Sequence, residues 1–281
     1  MLKYNRFVDI LHDAHKAGFA VGAFNIFNEQ TARGVLRAAN KAGAPVIIQT
    51  STGTVRKLGV KALGGMVNAL KYDAPNGLAL HLDHCSDPEL ARCCIRHGWD
   101  AVMMDYSHFP IKENIEKTKE IVDYAHERNV AVEGEVGLVL GAEEDVVSNV
   151  ERLAEEDETI EFIEKTGVDA IAPAVGTAHG LYTPGTKLHL NFKLVESLSK
   201  RETSVVIHGG TGLGDDVYRK FVKAGASKIN ISTAVKYAYA EGVKKSSETD
   251  IPGAPLQADE MVEKSVCEVV YRLIRLFKGD E

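Results

Sequence analysis

Residues 203–236, TSVVIHGGTGLGDDVYRKFVKAGASKINISTAVK, hold a β-rich run (TSVVIH), a glycine loop, a segment of helical apolar spacing (214–224), a second β-rich run (SKINIS) and the start of another helix. Strand, helix, strand, helix in that order predicts parallel strands joined by helical crossovers. Toward the N-terminus the alternation continues through FAVGAFN (19–25), APVIIQT (44–50), GLALHLD (77–83), DAVMMD (100–105), VAVEGEV (130–136) and DAIAPAV (169–175). Helical spacing separates them around residues 29–41, 59–72, 87–97, 111–128, 158–166 and 191–200, and closes the series at 233–247. Eight strand–helix units predict an α/β fold, a single (β/α)8 TIM barrel spanning 1–281 as one domain. Near-continuous apolar runs such as VVIH, IIQT and AVMM suit strands buried on both faces; a doubly wound open sheet is the rival. MVEKSVCEVVYRLIRLF (261–277) predicts an additional C-terminal helix at about 256–278. Two long loops, Leu138–Asp157 and Gly180–Leu190, follow strands, where lids are found.

At 281 residues and 44% hydrophobic, the chain can bury a full core. A net charge of -7 and a pI near 5.8 provide no field for nucleic acid or an anionic membrane surface, so an anionic substrate must be captured locally. The first residues, MLKYNRFVDILHDAHKAG, interrupt any signal core with polar groups, and no apolar run approaches the roughly 20 residues of a membrane span. A cytoplasmic location follows as the expectation. Cys85, Cys93, Cys94 and Cys267 form no CxxC pair, which fits a reducing compartment.

Polar residues stand where the apolar runs stop: Asn25, Ser51, Asp83, His84, Asp105, Ser107, Glu135, His179, His208, Asn230 and Thr233. In a barrel these positions converge on the C-terminal mouth, where barrel enzymes do their chemistry. Each singly is an ordinary cap or a bonded core group; together they point to a site. His84, His179 and His208 each follow a strand, and three imidazoles with an open fourth position describe a catalytic zinc site. His97, His108 and His126 are assigned to the surface. Asp83 precedes His84, so the strand must be ending there for both to reach one site; it either orients a ligand or transfers a proton. His208-Gly209-Gly210-Thr211-Gly212 lets backbone N–H groups approach an anion, and Asn230, Ser232 and Thr233 repeat the arrangement before a helix N-terminus. Loops after the seventh and eighth strands are the usual barrel phosphate site; tight turns alone are the alternative.

With GAFNIFNEQ, LHLDHC, VMMDYSHFPIKENI, VEGEVG, GAEEDV, VGTAHGLY, VIHGGTGL and KINISTAVK in order, the chain resembles the class II, metal-dependent fructose-bisphosphate and tagatose-bisphosphate aldolase family, especially its tagatose-type branch. The resemblance implies reversible cleavage of fructose or tagatose 1,6-bisphosphate to dihydroxyacetone phosphate and glyceraldehyde 3-phosphate. It implies zinc on His84, His179 and His208, with Glu135 and Asp105 near an alternate or second metal position. Asp83 would move the proton of the C4 hydroxyl, and Glu144 would be the acid/base at C3, with Glu143 a lesser choice. Gly180, Gly209, Gly210, Thr211, Asn230, Ser232 and Thr233 would hold phosphate beside a sodium or potassium ion, with Asn25 and Ser51 at the rim. A homodimer or homotetramer is implied as well, and the amphipathic C-terminal helix points the same way.

Departures are Cys85 where Gly or Ser is usual, Thr211 for the usual Ser, and no Asp-Pro-Arg segment before the last helix, which reads Asp250-Ile251-Pro252-Gly253-Ala254-Pro255. Without that arginine, a ketose 1-phosphate cleaved to an unphosphorylated aldehyde, or a phosphate held by Lys187, is the alternative substrate reading. A Schiff-base aldolase on Lys228, which shares a strand face with Asn230, and a noncatalytic sugar-phosphate-binding subunit are the other competitors.

Overall fold

The computed structural model describes residues 2, 4–143, 146–148, 151–182, 188–248 and 254–280, and of residues 142, 143 and 146–148 the backbone alone. Eight strands form the wall: β1 (Val21–Asn25), β2 (Val46–Ser51), β3 (Leu78–Cys85), β4 (Ala101–Met104), β5 (Ala131–Val136), β8 (Ala170–Pro173), β9 (Ser204–Ile207) and β10 (Lys228–Ile231). All pair in parallel and close in the order β1-β10-β9-β8-β5-β4-β3-β2. β6 (Gly141–Glu143) and β7 (Val146–Ser148) form a separate antiparallel hairpin inside the long loop after β5. Closure excludes the open sheet, and every wall strand is buried along its whole length.

The helices are α1 (Arg6–Ala17), α2 (Glu29–Ala42), α3 (Thr52–Leu58), α4 (Val60–Leu70), α5 (Pro88–Arg96), α6 (Ile111–His126), α7 (Glu156–Thr166), α8 (Phe192–Leu198), α9 (Asp215–Lys223), α10 (Thr233–Ser247) and α11 (Pro255–Lys278). The helix predicted at 59–72 is α4, and α3, which was not anticipated, precedes it, the two separated by Gly59 at φ 86. α1 was not anticipated. It is capped by Asn5, whose side chain accepts from Val8 N–H and donates to Asp100 O and Asn129 O, tying it across the bottom of the barrel.

Side chains inside the barrel fall into two layers. The lower is small and apolar, with Ala23, Ile47, Ala79, Ala101, Ala131, Ala170 and Val206 meeting Phe7 and Leu11 of α1. Converging strands leave little room at the axis, which favours alanine, and the Phe7 ring plugs the gap. The upper layer is polar and carries the site. Outside the wall a second core joins strands to helices, with Trp99, Phe162 and Phe221 fully buried or nearly so. α11 lies across α2 and α10 and reaches α9 and β1, burying Val262, Val266, Val270, Leu273 and Ile274 and, against Tyr218, Phe277. Its amphipathic pattern is thus used within the chain, and is no pointer to assembly. Among the described residues no helix is long and apolar enough to cross a membrane.

Candidate functional site

Asp83 and His84 are neighbours on β3, and a regular strand would send them to opposite faces. The strand does not end there as predicted. It runs on to Cys85 with a bulge, its register against β4 shifting between Leu82 and Cys85. His84 takes up the distortion at φ 45, a left-handed backbone that is costly for a side chain with a Cβ. His208 is the first residue beyond β9. His179 is not at a strand end: β8 stops at Pro173, and the ring is placed by a loop that turns at Gly176 (φ 89) and is pinned by the His179 N–H donating to Leu140 O at 2.7 Å.

The three rings converge, their centroids 4.6 Å (His84–His208), 5.1 Å (His84–His179) and 6.0 Å (His179–His208) apart. One ring nitrogen from each lies within 4.8 Å of the others. His84 Nδ1 sits 2.8 Å from Asp105 Oδ2, and His208 Nε2 sits 2.9 Å from Glu133 Oε1. Ionised carboxylates only accept, so those nitrogens carry the ring protons. The remaining nitrogens, His84 Nε2 and His208 Nδ1, face each other at 2.9 Å. In two neutral rings both would present lone pairs at that range, an arrangement that requires a cation between them. Burial opposes charge on His84, but Asp83, Asp105 and Glu135 outweigh it and hold its imidazolium well above the usual histidine range. Without metal a proton fills the gap; the donor set itself, three imidazoles at a buried point, fits zinc with a position left open.

A second group of donors, His84 Nδ1, Asp105 and Glu135, also lies within 4.8 Å. Ser107 donates to Asp105 Oδ1 from its hydroxyl at 2.7 Å and from its N–H at 3.2 Å. Burial raises the Asp105 carboxyl, yet His84 and these bonds hold it well below the usual range. Glu135 goes the other way, since burial and the charge of Asp105 push it well above. Its Oε2 has no hydrogen-bond partner and lies 3.8 Å from His84 Nδ1 and 3.6 Å from His208 Nδ1.

Asp83 belongs to neither donor group. Asn25 Nδ2 donates to its Oδ2 at 2.8 Å and Asn230 Nδ2 to its Oδ1 at 3.4 Å, and Gln49 Nε2 in turn fixes Asn25 Oδ1 at 2.9 Å. Ser51 caps α3, its hydroxyl accepting from Thr54 N–H at 3.1 Å. Gly180 (φ 92) and Gly209 (φ 65) have backbones that L side chains rarely adopt, and a Cβ on Gly209 would stand 2.5 Å from Ala178 O. Thr211 Oγ1 accepts from Ala234 N–H at 3.4 Å, which joins the glycine loop to the first turn of α10. That helix starts at Thr233 with no side-chain cap, and the buried Ser232 hydroxyl has no hydrogen-bond partner. The positive end of a helix dipole beside a spare hydroxyl suits an anion. Glu144, Lys187 and 250–253 lie outside the described residues, as does the Glu143 side chain.

His108 is exposed as predicted; His97 and His126 are half-buried, bonded to Cys93 O and Asp169. Lys228 is fully buried, its Nζ 2.7 Å from Glu133 Oε2 and facing the Phe7 ring, so a substrate carbonyl has no approach to it and the Schiff-base reading fails. Gln49, His81 and Glu133 went unnoticed in the sequence. The signal was present: Gln49, His81, Glu133 and Lys228 each stand two residues before Ser51, Asp83, Glu135 and Asn230, and a period of two puts both members of each pair on the same face.

The profile of the family described as "Fructose-bisphosphate aldolase class-II" matches residues 5–281. Fructose-bisphosphate aldolase of Staphylococcus aureus is 39% identical over 242 residues, 84% of this chain and 83% of that protein. The enzyme of that name from Geobacillus stearothermophilus is 36% identical over 243 residues, with 84% and 83% covered. The crystal structure of the YdjI aldolase from Escherichia coli K12 superposes with a TM-score of 0.85 at 31% identity, covering 98% of this chain and 97% of that one. A barrel with three converging histidines at its mouth, and relatives matched over most of their length, place this chain in the class II fructose-bisphosphate aldolase family, whose members are zinc-dependent lyases.

Proposed function

We propose that this chain catalyses the reversible cleavage of a ketose 1,6-bisphosphate, fructose or tagatose, to dihydroxyacetone phosphate and glyceraldehyde 3-phosphate, with zinc on His84, His179 and His208. The observation that carries this reading is the facing pair of ring nitrogens, His84 Nε2 and His208 Nδ1, 2.9 Å apart, with Asp83, next to His84 on β3, outside both candidate donor groups. Zinc, when bound, supplies a Lewis acid that offsets the negative charge developing on the ketone half.

Asp83 takes the proton of the C4 hydroxyl. As the O–H electrons become the aldehyde C=O, the C3–C4 bond breaks and its electron pair passes to the ketone half. Asn25 and Asn230 occupy one lone pair on each carboxylate oxygen and so aim the others. Glu144, which follows β6 in sequence, returns a proton to C3 and removes it in the synthetic direction. Gly180, Gly209, Gly210, Thr211, Asn230, Ser232 and Thr233 hold the phosphate of the ketone half with a sodium or potassium ion, and Ser51 stands at the rim. Asp105 and Glu135 form an alternate ion position, because a neutral His84 ring ligates through one nitrogen at a time. The chain acts as one catalytic domain over 1–281, in the cytoplasm, and assembles as a homodimer or homotetramer.

A panel of aldehydes offered with dihydroxyacetone phosphate tests the substrate. Glyceraldehyde 3-phosphate is the expected preference, and the configuration of the product at C4 separates fructose from tagatose. A preference for unphosphorylated aldehydes would replace the bisphosphate with a ketose 1-phosphate.

A further inference from the structure

Below the metal donors the barrel interior holds a polar cluster that meets the mouth through His208. Glu133, on β5, and Lys228, on β10, are both fully buried and joined at 2.7 Å through Glu133 Oε2. The other carboxylate oxygen, Oε1, is 2.9 Å from His208 Nε2. His81 closes the cluster, its Nε2 3.4 Å from Glu133 Oε2 and its ring stacked on Phe7 with centroids 5.3 Å apart. The fully buried ammonium of Lys228, 2.7 Å away, is the charge partner of the Glu133 carboxylate. Burial and the neighbouring Lys228 charge hold His81 well below the usual histidine range, so His81 is neutral and Lys228 is the counter-ion.

A buried ion pair is rarely worth its desolvation as a source of stability; a well-packed apolar pair of the same volume does as well or better. The pair has a directional consequence, however. An ionised Glu133 can only accept, so it keeps the His208 proton on Nε2 and leaves the Nδ1 lone pair directed at His84 Nε2, 2.9 Å away. A carboxylate on the distal nitrogen also makes an imidazole a stronger donor to a metal.

We infer that Glu133 and Lys228 are positioning residues for the metal centre: Lys228 anchors the Glu133 carboxylate, and Glu133 fixes the tautomer, orientation and basicity of His208. The inference rests on the reading of His84, His179 and His208 as the zinc site. Neither residue touches substrate. The relay acts on metal affinity first and on turnover through it.

Zinc affinity of the metal-stripped protein, measured by competition with a chromophoric chelator, tests this without using activity. Wild type binds zinc; Glu133→Gln, which still accepts from His208 but without charge, is expected to bind about 10- to 100-fold more weakly. Because that variant leaves a lone buried cation, Glu133→Gln/Lys228→Met removes the pair as a unit and is expected to fold, by circular dichroism, and to bind zinc as weakly. In 15N-labelled wild type the His208 Nε2 proton should appear as a slowly exchanging resonance, shifted in both variants. A purely structural pair would lower the melting temperature and leave the zinc affinity of the folded protein unchanged. Either variant, folded and binding zinc like wild type, overturns the relay while the site reading stands. Wild type that takes up no zinc overturns both.

Discussion

Asp83, 2% exposed and bonded by two amides, can do its work only as a carboxylate. Asp83→Asn keeps the shape and removes the base, and turnover should fall by about 100- to 10,000-fold, the usual worth of a positioned proton-transfer group. Zinc stoichiometry by metal analysis should stay at the wild-type value; loss of metal with the activity would make Asp83 a ligand instead. The proton between His84 and His208 gives a second prediction. Because the folded, metal-free protein holds His84 protonated well above the normal range, zinc must displace that proton, and one from Glu135 if it occupies the alternate position. Binding therefore releases protons, and affinity rises with pH by about tenfold per unit for each proton released. Chelator competition at acidic, neutral and mildly alkaline pH reads the slope; a flat profile would mean that the site is already deprotonated. Burial drives the Cys85 thiol up to about 11, so the cysteine after the first histidine is a packing residue and not a competing thiolate.

At the scale of elements, the floor of the barrel depends on α1. Phe7 is fully buried among the alanines of the lower layer and stacks on His81. Phe7→Ala should destabilise by about 3–5 kcal/mol, as large-to-small changes in tight cores do, and urea unfolding measures it. If the change costs under about 1 kcal/mol, α1 is an appendage and not a plug. Strand placement was legible from the apolar runs because both faces of a barrel strand are buried. The Asp83-His84 pair was legible as a site and misread as a strand end, since a bulge forced by one left-handed residue leaves no mark on hydrophobic periodicity. His179 was found as a histidine after an apolar run, but the bond from its N–H to Leu140 joins loops far apart in sequence, which no local pattern reports.

For the whole molecule, metal binding and folding are linked. If zinc binds the folded chain and not the unfolded one, zinc at about 100 times its dissociation constant should add about 2.7 kcal/mol of stability. Excess EDTA should abolish cleavage and lower the melting temperature, with zinc restoring both; full activity in EDTA would remove the metal from the mechanism. The sequence by itself determined the barrel, its eight strand runs and the three histidines, because each rests on periodicity or on residue type after an apolar run. Only the tertiary structure decided which nitrogens face one another, that Lys228 answers Glu133 and not a substrate carbonyl, and that α11 spends its apolar face on α2 and α10. Those outcomes depend on distances between strands remote in the chain, and such distances exist only once the barrel has closed.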